Sequence, residues 1–302
     1  DLLTVSGTTT TVALTGATDL TITDIAGSVM TSLDASAMTG KFVGTLSVAD
    51  DIAVKLAVDS STINFGTTLN NADSVVGGAG AADIVSATVS GLAAATGALT
   101  ISAVETVNLT TSGDNTLNLA GVTGATTIQV TDNVQTISGL DLGATIHMNG
   151  AATASEIDVT AADATGSSDT LKVSTTGVTT SIIDASAIET LALTKNDPGN
   201  AVTLDLTTFE GTAITLDSKT GITGTAAVAL GTLHANANSL TSTYAEAVSA
   251  SFVNATGAVT ATLGGAVAQT ITGSSFVDTF NVGSTTAVTH VIAGGDGEDT
   301  IN

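Results

Sequence analysis

The chain has no cysteine, no arginine and no tryptophan. It has one proline, Pro198, and one tyrosine, and aromatic residues make up 2% of its 302 positions. Each scarcity removes a class of protein. Without cysteine there is neither a disulfide framework nor a thiolate metal site. Without arginine there is no planar guanidinium to clamp a carboxylate or a phosphate. Five lysines (Lys41, Lys55, Lys172, Lys195, Lys219) against 28 acids leave a net charge of −23. Phosphate neutralisation needs basic side chains, so nucleic acid is excluded as a partner, as is a basic attraction to anionic lipid. No run of 18 apolar residues provides a membrane span. The opening Asp1-Leu2-Leu3-Thr4 is not a signal peptide, and the chain reads as a segment of something longer.

What remains is a chain of Thr, Ser, Gly, Ala and small aliphatics. Hydrophobic residues reach 43% while charged ones are only 11%, which is not a disordered composition. A core of Val, Leu, Ile and Ala is expected to be thin and regular, because small side chains cannot fill a thick interior at native density. Alternating runs recur at Thr11–Leu14, Leu20–Ile22, Ala53–Val58, Thr106–Leu109, Thr116–Leu119, Thr126–Val130, Leu171–Val173, Leu191–Leu193, Val202–Leu206 and Ala213–Leu216. They lie about ten residues apart between Gly, Asn, Asp and Ser turns, the spacing of sandwiches, barrels and solenoids. The stretch Ser242–Phe252 reads equally as a short helix or as another strand.

Internal similarity narrows the choice. Val104-Glu105-Thr106-Val107-Asn108-Leu109-Thr110 returns 84 positions on as Ile188-Glu189-Thr190-Leu191-Ala192-Leu193-Thr194. Each is preceded by Asp-x-aliphatic, at Asp83 and at Asp169, and Asp278-Thr279-Phe280 is a third such start. A unit of roughly 85 residues, occurring at least twice, suits stacked coils that complete one another's core. The expected fold is all-β: a parallel β-helix or β-roll solenoid, with room for short β-sandwich-like excursions. Three regions are expected: 1–67, a strand repeat region; 68–272, a solenoid opening with degenerate turns; and 273–302, a calcium-binding segment.

The most specific motif is Gly294-Gly295-Asp296-Gly297-Glu298-Asp299-Thr300-Ile301-Asn302, which fits the nonapeptide G-G-x-G-x-D-x-U-x throughout. Glycines permit a tight turn with positive φ, Asp299 brings a carboxylate, and Ile301 fills the coil interior. Calcium takes six to eight oxygens in flexible geometry, which two adjacent turns supply together. Residues 68–76 place Asp73 at the sixth position. Residues 77–85 carry Gly77, Gly78 and Gly80, with the aspartate displaced by one to Asp83. Residues 273–281 keep Gly273, Asp278 and Phe280 but lack the inner glycines. Asp163 and Asp169 form a looser relative. The candidate calcium set is therefore Gly294, Gly295, Asp296, Gly297, Asp299, Asp278, Asp73, Gly77, Gly80 and Asp83. His147, His234 and His290 stand in no metal-ligand spacing, and no nucleophile elbow, Walker loop or zincin motif is present. Threonine pairs do not recur at the fixed interval an ice-binding face would need.

On these residues, with the phrases at 34–40 (Asp-Ala-Ser-Ala-Met-Thr-Gly) and 164–171 (Ala-Thr-Gly-Ser-Ser-Asp-Thr-Leu), the chain resembles the large C-terminal region of Caulobacter-type surface-layer proteins with RTX calcium repeats. The resemblance implies a non-enzymatic protein that leaves the cell by type I secretion and folds outside as calcium enters its turns. It implies a localisation at the extracellular cell surface and homo-oligomeric lattice contacts. Lipopolysaccharide would be held by a region outside this chain. Two alternatives are a repeat segment of a secreted RTX adhesin and a β-helical polysaccharide-active enzyme. The 2% aromatic content, too low for sugar platforms, argues against the second.

Overall fold

A computed structural model describes residues 2–5, 8–27, 29–48, 51–90, 97–113, 115–131, 134–150, 155–177, 180–196, 201–218, 227–244, 246–264, 267–283 and 288–302. Among them there are strands and turns and no helix. Every described pairing is parallel, as in a β-solenoid. The chain divides into two units, residues 1–131 with 136–146, and residues 132–135 with 147–302.

In the first unit one sheet is built in chain order from Leu2–Thr4, Leu20–Ala26, Phe42–Leu46, Thr62–Asn64, Ile84–Ser90, Thr106–Ser112 and Thr127–Val130. The strands between them, Thr11–Gly16, Ser32–Met38, Ala53–Lys55, Ser74–Val76, Thr100–Ser102 and Val122–Thr123, form another. The second unit repeats the scheme. Thr170–Thr176, Thr190–Lys195, Ala213–Ser218, Ser239–Ser242, Thr260–Leu263, Thr279–Val282 and Thr300–Ile301 alternate along the chain with Ser155–Ala161, Thr180–Ala185, Val202–Asp205, Val228–Thr232, Val248–Ser251, Thr270–Thr272 and Val291–Ala293. Most coils thus have two strands, and the one from Thr106 to Thr127 carries Asn115–Asn118 as well as Val122–Thr123. Coil length runs from 19 residues (Val43 to Thr62) to 26 (Ala213 to Ser239), and 21 is common, as from Thr106 to Thr127. The ten-residue spacing in the sequence is half a coil. The 85-residue unit is about the length of four such coils.

Register puts like on like. In the first unit Ile63, Val85, Val107 and Ile128 stack in one buried row, and in the second Leu171, Leu191, Ile214, Leu240, Ala261 and Phe280 do. Such burial stabilises by roughly 1.5–3 kcal/mol per large side chain. Ser242–Phe252, open to two readings, contains the strand Val248–Ser251. Its alternation of buried Val248 and Ala250 with half-buried serines suits a sheet edge-on to a thin core.

The core is less uniformly aliphatic than its composition implies. Phe42, Phe65, Phe209, Phe252 and Phe280 are all fully buried. At three of them, Phe42, Phe209 and Phe280, a glycine stands beside the ring and gives it room. A β-carbon on Gly44 would come within 2.6 Å of the Phe42 ring, one on Gly211 would overlap the Phe209 ring, and one on Gly273 would lie 2.9 Å from Phe280. Gly44→Ala and Gly211→Ala are expected to cost about 1–3 kcal/mol each through forced ring displacement. Gly257→Ala, with nothing within 4 Å, serves as the neutral control. Thermal unfolding of the three variants checks this, and equal midpoints would contradict the packing account.

Candidate metal turns at the coil corners

A parallel coil creates a difficulty where each strand begins. The amide just before the strand lies at a buried corner, and an unpaired N–H there costs about 1–3 kcal/mol. The chain meets this with side chains from the following coil. In the first unit the Phe42 amide donates to Ser61 Oγ (3.2 Å), the Ser61 amide to Asp83 Oδ1 (2.7 Å), and the Asp83 amide to Glu105 Oε2 (2.8 Å). On the other sheet the Ile52 amide donates to Asp73 Oδ1 (2.8 Å). In the second unit the Asp169 amide donates to Glu189 Oε2, Val259 to Asp278 Oδ1 and Asp278 to Asp299 Oδ1. On its other sheet, Val248 donates to Gln269 Oε1 and Gln269 to His290 Nδ1.

The aspartates of this series are deeply held. Asp83 and Asp278 are 0% exposed and Asp73 is 3% exposed. Asp83 Oδ2 takes a second amide, from Gly78 at 2.7 Å. Asp73 Oδ2 takes the Asn70 amide at 2.8 Å. Asp278 takes the Ser274 amide on Oδ2 (2.6 Å) and the Ser274 hydroxyl on Oδ1 (2.8 Å). In all three, both carboxylate oxygens face the positive ends of protein donors.

The glycines divide in two. Gly295 and Gly297 have φ of +102° and +114°, the conformation expected of a calcium turn. Gly77, Gly78 and Gly80 are not among the positive-φ glycines, a correction to the expectation that all corner glycines serve to bend the chain. They serve close approach. A β-carbon on Gly77 would overlap the Ala103 carbonyl, one on Gly78 the Ala57 carbonyl, and one on Gly80 would lie 2.6 Å from the Ser60 amide.

The sequence-predicted ligands are therefore not equivalent. Asp296 and Glu298 are exposed, and Asp299 is half-buried, its carboxylate folded back over Gly294. With its two left-handed glycines, the turn at 294–299 can present part of the oxygen set of a calcium ion, although Asp299 Oδ1 already accepts the Asp278 amide. Asp299 and Asp296, with carbonyls of the turn, would hold it. The turns at 68–76, 77–83 and 273–278 do not suit one, because their aspartate oxygens are already filled by N–H and O–H donors. Asp163 is occupied with the Thr165 amide and hydroxyl, and Asp169 accepts from the Gly166 amide at 3.2 Å. Sequence reasoning gave no role to Ser61, Glu105, Glu189, Gln269 or His290, which do the same work as the aspartates. The signal was there: each stands immediately before a strand's first residue. His147 meets Ser174 Oγ through Nδ1 at 2.8 Å, and His234 Nδ1 accepts the Asn236 amide.

Stacking like on like also brings acids together. Asp158 and Asp184 are register partners on adjacent parallel strands. Burial pushes the Asp184 carboxyl above the ordinary 3.8, and Asp158 and Glu210 add to the shift. Burial likewise raises Asp73 and Asp83, Glu105 and Asp59 adding to the second. Asp34, Asp163 and Asp205 are lowered, chiefly by hydrogen bonds from Ser36, Thr165 and Thr207. A raised carboxyl contributes stability that is complete below 3.8 and lost as pH rises through its folded value. A lowered one contributes above 3.8 and is lost below. In chelator, the Asp184 carboxyl is thus expected to raise the thermal midpoint as pH falls from neutrality toward 4, and protonation of Asp34, Asp163 and Asp205 to lower it below that. Asp184→Asn should raise the neutral midpoint and flatten that rise. A midpoint falling steadily from pH 7 would contradict it.

The chain matches no family model, no curated protein and no solved structure.

Proposed function

We propose that this chain is a structural, non-enzymatic segment of a secreted bacterial surface-layer protein whose folded state is reinforced by calcium. The observation that carries the reading is the turn at 294–299, where two left-handed glycines, exposed Asp296 and a carboxylate curled over Gly294 offer oxygen ligands of the kind a hard cation takes. The body around it supports a scaffold role, since each unit is one coil repeated. Coil lengths spread from 19 to 26 residues, which favours the lattice over an adhesin of near-identical tandem domains.

The energetic logic is linkage. A −23 chain repels itself, and an ion that binds only the folded form stabilises it by about 2.7 kcal/mol at a hundred times Kd. Calcium is expected to raise the thermal midpoint of the chain and chelator to lower it, with Asp299→Ala abolishing most of the difference. A wild-type midpoint indifferent to calcium would overturn the calcium half of the reading. Electron micrographs of the purified protein, with and without chelator, test the lattice half: ordered sheets are expected with calcium, and isolated rods under both conditions would overturn it.

A further inference from the structure

Nine corner hydrogen bonds, four in the first unit and five in the second, obey one positional rule. The residue that immediately precedes a strand uses its side chain to accept the amide of its register counterpart one coil earlier. Four of the acceptors are aspartates (Asp73, Asp83, Asp278, Asp299) and two are glutamates (Glu105, Glu189). The others are Ser61, Gln269 and His290. A serine hydroxyl, a neutral carboxamide and an imidazole nitrogen fill the same position as the carboxylates. What the position requires is therefore a lone pair at the right place, not a charge.

We propose that Asp73, Asp83, Glu105, Glu189 and Asp278 are metal-independent staples that join successive coils, and that these corners hold no calcium. The proposal concerns corners other than the 294–299 turn and stands whether or not that turn takes an ion. Its physical basis is occupancy. At Asp83, Asp73 and Asp278 each carboxylate oxygen lies 2.6–2.8 Å from an amide nitrogen, with the N–H dipole pointing at it. A cation bound there would face the positive ends of those same amides. Gly77 and Gly273, where the motif would seat an ion, instead give the neighbouring carbonyls of Ala103 and Gly294 room to close in.

Metal ligand and staple respond differently to neutralising the acid. Glu105 accepts one amide, from Asp83. Glu105→Gln keeps that acceptor, as Gln269 does at its own corner, so its unfolding midpoint should stay near that of the wild type. Asp83 and Asp278 each need both oxygens, and an asparagine amide group would turn donor against donor. Asp83→Asn and Asp278→Asn should therefore raise the unfolded fraction roughly ten- to a hundredfold, equally in calcium and in chelator. Denaturant unfolding in both media reads stability, and equilibrium dialysis with calcium reads the number of ions bound. The expected result is an unchanged ion count for any variant that folds, Glu105→Gln included. A lower count in Glu105→Gln, or a loss of stability in the asparagine variants that appears only with calcium, would overturn the proposal. Loss of calcium binding in Asp299→Ala alone would bear on the 294–299 turn and leave the staples untouched.

Discussion

Stacked coils depend on one constraint: the amide at the entrance of each strand must find an acceptor in a place water does not reach. Within a strand the ladder of the neighbouring coil supplies a carbonyl. At the corner the ladder has not begun, and the chain has just turned. At nine corners a side chain reaching back from the next coil is the answer, because register places it opposite the amide; elsewhere, as at Thr126 and Thr212, a carbonyl of the coil before serves. The first unit shows the consequence over consecutive coils, from Phe42 through Ser61 and Asp83 to Glu105. Phe42, Ser61 and Asp83 each give an amide forward to the next coil, and Ser61, Asp83 and Glu105 each take one through the side chain. The corner glycines follow from the same demand. For Asp83 to reach Ser61 and Gly78, the backbone near Gly77 must crowd against Ala103, and no β-carbon fits there.

The strands were legible in the sequence because a thin core makes alternation the dominant pattern. Thr106–Leu109 and Val202–Leu206 have one side buried and one side wet, and little else competes with that signal. Ser242–Phe252 was ambiguous because its alanines favour a helix while Tyr244, Val248 and Phe252 favour a strand. Pairing with Val228–Thr232 and Thr270–Thr272 distinguishes its strand. The coil itself was less visible than the fourfold spacing of its two Glu-Thr strands, since lengths of 19 to 26 residues blur a single period. The five buried phenylalanines could not be placed from composition at all. Each depends on space, and for Phe42, Phe209 and Phe280 that space is the missing side chain of a nearby glycine.

The candidate site was half legible for a related reason. A glycine-aspartate turn has the same letters whether the aspartate faces an ion or an amide. What separates Asp299 from Asp83 is backbone conformation: left-handed at Gly295 and Gly297, ordinary at Gly77, Gly78 and Gly80. Sequence reports that glycine is present, not which of its two freedoms is used, positive φ or the absence of a β-carbon. Glu105 and Glu189 were seen as part of a repeat but not as acceptors, because the role is defined by the residue one coil away.

Stacking identical positions has a cost that shapes the distribution of charge. Strands about 4.8 Å apart set an acid at a repeated outward position beside its own copy, and like charges opposite one another are destabilising. Asp158 over Asp184 is such a pair, and partial burial of Asp184 adds to its cost. Asp34 shows the alternative, since its counterpart one coil on is Lys55, 3.2 Å away. With five lysines for 28 acids this remedy is scarce. The corners answer differently: a carboxylate that accepts two amides has its charge spread into the backbone, and a serine or glutamine at the next corner avoids the charge altogether. A chain with too few cations of its own can thus stack acid upon acid where amides are supplied.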